Sequence, residues 1–136
     1  MNKILVEVSV GELLDKISIL EIKQEKIKDP EKLKFINDEH SILKDQLDNN
    51  VKPDEKLNTL FQSIKDINAK LWVIEDDKRL CEKNSDFTEN FIKLSRDIHF
   101  LNDDRAKIKL EMNNHTGSKI KEIKAVSYTH LRAHET

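Results

Sequence analysis

The stretch DIHFLNDDRAKIKLEM, residues 97–112, puts a cation where the surrounding rhythm calls for an apolar side chain. Phe87, Phe91, Leu94, Ile98, Leu101, Arg105, Ile108 and Met112 recur three and four residues apart, the spacing of one helix face, and Arg105 interrupts it. A guanidinium keeps its charge at any ordinary pH, so on a core-facing seam it needs a counter-ion or a ligand. Three other polar residues share its situation. His40 fills the gap between Ile36 and Leu43, Glu21 shares a helix face with Leu14 and Ile17, and Asn68 lies one turn from Ile64.

Two meanings fit these four residues. One is a buried polar layer that fixes register by penalising alternative packings, with Glu21 as counter-ion to Arg105 and His40 or Asn68 completing the hydrogen bonds. In that case Arg105→Met is expected to be tolerated and Glu21→Ala is not. The other is a small-anion pocket between helices, Arg105 taking a carboxylate or phosphate with Glu21 or His40 assisting. Small all-helical mutases that rearrange a dicarboxylate are the enzyme analogy for the second meaning. The first helical segment, GELLDKISILEIKQEKI, lacks the arginine that such enzymes place there.

Other chemistries find no support. A di-iron bundle needs Glu-x-x-His on two helices, whereas Asn37, Arg96 and Met112 stand three residues before His40, His99 and His115. The chain has no Gly-rich phosphate loop, no paired CxxC and no nucleophile in a recognisable motif, so no catalytic residue, metal or cofactor is assigned. Cys81 falls on a helix stripe and reads as core. The acidic pairs Asp76–Asp77 and Asp103–Asp104 read as solvated faces.

The elements that must position the layer are helical. A chain of 136 residues suits one domain with a modest core, and two glycines with two prolines leave few breaks for an all-β fold. Apolar stripes mark four helices: about Val10 to Lys28, Pro30 to about Asp48, Pro53 or Asp54 to about Lys83, and a fourth capped by Ser85 or Asp86 and ending near NNHTGS. Short connections predict an antiparallel bundle of four helices in two helical hairpins, the second reaching beyond the first. KILVEVSV predicts a short N-terminal β-strand that would pair with SKIKEIK near the C-terminus or with another copy of the chain.

Charge of both signs and a formal net charge of -2 give no basic field for nucleic acid or an anionic membrane. A single cysteine and the lack of a long apolar span or cleavable signal point to the cytoplasm. Ile19, Ile22, Ile92, Ala106 and Leu110 lie off the main stripes, a second apolar face that points to a homo-oligomer or a protein partner, although scattered surface residues give the same pattern. The ending VSYTHLRAHET drops the Lys/Glu/Ile texture and resembles sequencing-adapter read-through. Residues 1–125 are therefore read as the helical domain and 126–136 as a non-native tail that replaces the natural C-terminus. His130 and His134 then make no metal motif.

The blocks VEVSVGELLDKISILEIKQEKIKDPEKL, LWVIEDDKR and FLNDDRAKIKLEMN followed by GS resemble a bacterial family of uncharacterised proteins, domain of unknown function six-one-six-five, over nearly the whole chain to about Lys124. The resemblance implies a short single-domain cytoplasmic protein, with genes that sometimes neighbour those for surface-polysaccharide synthesis. It assigns no active site.

Overall fold

A computed structural model describes residues 2–121 and 123. It contains four helices in chain order: α1 (Val10–Lys26), α2 (Pro30–Asn50), α3 (Glu55–Lys83) and α4 (Glu89–Thr116). Each boundary has a local cause. Ser9 caps α1 by accepting from the Glu12 N–H at 3.0 Å, and Asp29 accepts from the Glu31 N–H at 3.1 Å ahead of Pro30, whose missing N–H costs nothing in a first turn. Asp54 accepts from the Leu57 N–H at 2.8 Å to start α3. At the far end of α4, Gly117 takes the left-handed conformation, φ 69°, and Ser118 N–H returns to the Asn113 carbonyl at 2.9 Å. The start of α4 lies later than the sequence suggested: Asp86 accepts from both the N–H and the hydroxyl of Thr88, a local turn that delays the helix to Glu89.

The helices run alternately up and down. Gln24 meets Asn37 between α1 and α2, Cys81 meets Asn90 near the α3–α4 turn, and Gly11 meets Asn113 between α1 and α4. The bundle is not four equal staves. α1 packs against all three other helices and buries Leu13, Leu14, Ile17, Leu20 and Ile22, whereas α2 leans on α1 and buries only Ile36. Ile22, placed by periodicity on a second outward face, is thus interior to the chain, 1% exposed, while Ile92 and Leu110 do face outward. The central cluster joins Leu14, Leu57, Leu60, Ile64 and Met112. At 29 residues, roughly 43 Å, α3 outruns the 17-residue α1, and Cys81 and Leu94 are the buried residues of that outer part of the α3–α4 hairpin.

The expected N-terminal strand is corrected by the structure. Residues 2–9 lie outside regular secondary structure, and no strand occurs among the described residues. A strand exists through its ladder partner, and KILVEVSV has none within the described chain. The 126–136 segment lies outside the described residues.

At the base of the second hairpin, the carboxylate of Asp54 also meets His115 Nε2 at 2.7 Å, tying the start of α3 to the last turn of α4. The Leu57 N–H, and after it His115, hold the Asp54 carboxyl below its ordinary range. A depressed folded value stabilises the fold above the ordinary carboxylate range, near about pH 4, and that contribution vanishes as pH falls through the lowered value. Melting temperatures of the parent and Asp54→Asn should therefore differ at neutral pH and converge in acid; a constant gap down to strong acid would show that the charge contributes nothing.

Candidate functional site

The site begins with a close helix approach. A Cβ on Gly11 would sit 2.6 Å from the Lys109 carbonyl oxygen, so the lack of a side chain lets α1 lie against α4, and the Gly11 N–H donates to Asn113 Oδ1 at 2.7 Å. One turn along α1 and two turns back along α4, that contact brings Asp15 to Arg105. Arg105 Nε donates to Asp15 Oδ1 at 2.9 Å and Nη2 donates to Oδ2, a bidentate fork on a carboxylate that is 2% exposed. α3 completes the layer: Asn68 Nδ2 donates to Asp15 Oδ1 at 2.9 Å and to Ser18 Oγ at 2.8 Å, and the Ser18 hydroxyl donates to the Asp15 backbone carbonyl at 2.7 Å. Between the two contacts, Lys109 on α4 reaches Glu12 on α1.

A second cluster lies farther along α1. Glu21 meets His40 Nε2 through Oε2 at 3.2 Å and Lys65 Nζ through Oε1 at 3.2 Å, and Lys65 also reaches Glu25 at 3.2 Å. The four residues expected in one layer are therefore divided. Arg105 and Asn68 meet around Asp15, and Glu21 and His40 meet at Lys65; the counter-ion of Arg105 is Asp15, in place of Glu21.

A family model matches residues 4–131, nearly the whole chain. The chain belongs to the Family of unknown function (DUF6165). No curated protein and no solved structure matches it. The matched span of this DUF6165 chain runs past Lys124, the limit of the resemblance visible in the sequence blocks.

The electrostatics of the two clusters differ with their burial. Hydrogen bonding to Asp15 raises the Arg105 guanidinium above its ordinary value despite the opposing effect of burial, with Glu12 and Glu75 adding attraction. For Lys65 burial opposes the charge, but the hydrogen bonds it donates to Glu25 and Glu21 outweigh it, and the ammonium is likewise raised. In the inner layer of this DUF6165 protein each ion is the other's ligand. No buried side-chain nitrogen or oxygen among the described residues lacks a partner. Nor does any trio of His, Cys, Asp or Glu side chains among them stand ready for a metal ion.

The sequence does not single out Asp15 and Ser18, because the pattern of α1 is that of an amphipathic stave with one wet face. Its central position buries more of its circumference than a single apolar stripe would. The signal available in the sequence was spacing: Gly11, Asp15 and Ser18 place a small residue, an acid and a hydroxyl at four and three residue steps.

Proposed function

We propose that this DUF6165 protein is a binding or assembly module whose polar layer sets the helix register and whose outer surface does the work. One observation carries the reading: Ile4, Leu5 and Val6, three consecutive apolar residues, are 86%, 83% and 75% exposed beside a tightly fixed helix start. Contiguous apolar exposure on that scale marks a surface meant to be covered. The inner layer supports the same reading from the opposite direction. An anion pocket or a mutase-like centre needs a guanidinium free to grip substrate, and the Arg105 fork is already filled by Asp15. Work in the cytoplasm, and a link to surface-polysaccharide synthesis, follow from the family resemblance and the composition.

Thermal melts with inorganic phosphate and with a dicarboxylate test the choice. The binding-module reading expects no specific shift in Tm. A saturable rise that Arg105→Met abolishes would overturn it in favour of the anion pocket.

A further inference from the structure

The apolar N-terminal residues have a partner encoded in their own order. Their base is rigid: Ser9 is fully buried, Val10 N–H donates to Ser118 Oγ at 3.2 Å, and Gly11 is pressed against α4. Beyond that base Ile4, Leu5 and Val6 point at solvent, flanked by Lys3 and Glu7. We propose that residues 3–7 of two copies of this chain pair antiparallel about Leu5, forming the two-fold interface of a homodimer. This rests on the assembly reading and names its partner.

The choice of register comes from charge. An antiparallel pair centred on Leu5 puts Lys3 of each copy opposite Glu7 of the other, Ile4 opposite Val6, and Leu5 opposite itself. The arrangement is isologous, as a closed dimer requires. Parallel pairing would place Lys3 against Lys3 and Glu7 against Glu7, and like charges directly opposite are destabilising. Sliding the antiparallel pair by one residue sets Glu7 against Ile4 and turns every side chain to the other face. In the favoured register Ile4, Val6 and Val8 of both copies line one face of the ribbon. Ile120 and Ile123, also exposed, follow Ser118 on the segment that leaves α4 at the same base.

Sedimentation velocity on the full chain at micromolar concentration should show a reversible dimer. Glu7→Lys alone and Lys3→Glu alone should each weaken it about tenfold or more, since two attractive pairs become repulsive, and the double exchange should restore it. In a Cys81→Ala background, Leu5→Cys should cross-link to itself under mild oxidation faster than Ile4→Cys or Val8→Cys. A monomer throughout the range overturns the proposal. So does a dimer that ignores the single charge reversals, or one that the double exchange fails to restore; in those cases assembly stands and uses another surface. Circular dichroism confirms that each variant keeps its helices, as substitutions outside the bundle should.

Discussion

Arg105→Met should destabilise the protein by about 3–5 kcal/mol, because it removes the partner of a carboxylate that has no route to water. Asp15 is 2% exposed and Arg105 is 29% exposed on its side chain. After Asp15→Ala the guanidinium can turn toward solvent; after Arg105→Met the carboxylate stays within the bundle with only Asn68 beside it. The arginine variant should therefore be the worse of the two. This order is the reverse of the one expected from sequence, where the counter-ion was Glu21 and the arginine was the replaceable member. Combining Asp15→Asn with Arg105→Met removes both charges and should recover most of the loss. Urea unfolding of the parent, Asp15→Asn, Arg105→Met and the double variant forms a cycle with strong coupling. Additive effects would mean that the short contacts carry no interaction energy.

Gly11→Ala should cost about 1–3 kcal/mol, the usual penalty for forcing an extra carbon into a packed site, and the geometry places it at the upper end. The added Cβ would meet the Lys109 carbonyl oxygen at 2.6 Å and Asn113 Oδ1 at 2.9 Å. A side chain can rotate away; a helical carbonyl cannot, so α1 must lift from α4. That movement also stretches the Asp15–Arg105 contact one turn farther along. Asn113→Ala in the Gly11→Ala background removes the yielding obstacle and should not rescue stability. Full rescue would place the strain on the Asn113 side chain alone.

Much of this was legible from spacing. Capping residues at Ser9, Asp29 and Asp54, with Pro30 and Gly117, sit at helix ends as their chemistry dictates, and the seam from Leu94 to Met112 did identify the side of α4 that faces inward. Helix faces also put His40 and Glu21 on the seams of neighbouring helices, and the two meet at 3.2 Å. One shared layer for all four polar residues requires α2 to pack closely on α3, whereas α2 packs mainly on α1. Spacing within one helix does not fix which level of a neighbour it meets, which is why Glu21 stands in the expected layer where the structure has Asp15. Periodicity finds faces well but is silent about which helix occupies the middle, and only the middle helix can bury an acid on a side that looks wet. For the N-terminal strand, β-propensity was real and insufficient, since pairing is a property of two segments.

The light packing of α2, which rests mainly on α1, has a consequence for how the protein opens. With Ile36 as its only buried residue and the partly buried Leu47 as its contact with the central cluster, α2 can leave without breaking the Asp15–Arg105 layer. Native-state hydrogen exchange should therefore resolve two levels of protection: amides of α2 exchanging through a partial opening of low free energy, and those of α1 and the inner turns of α3 and α4 exchanging only on global unfolding. In that partly open form Leu14, Ile17, Leu57 and Phe61, which line the 180 Å³ cavity beneath α2, face water. The helix that contributes least to the core thus acts as the removable cover of an apolar surface, which a chain partner at high concentration can reach by exchange of α2 between copies.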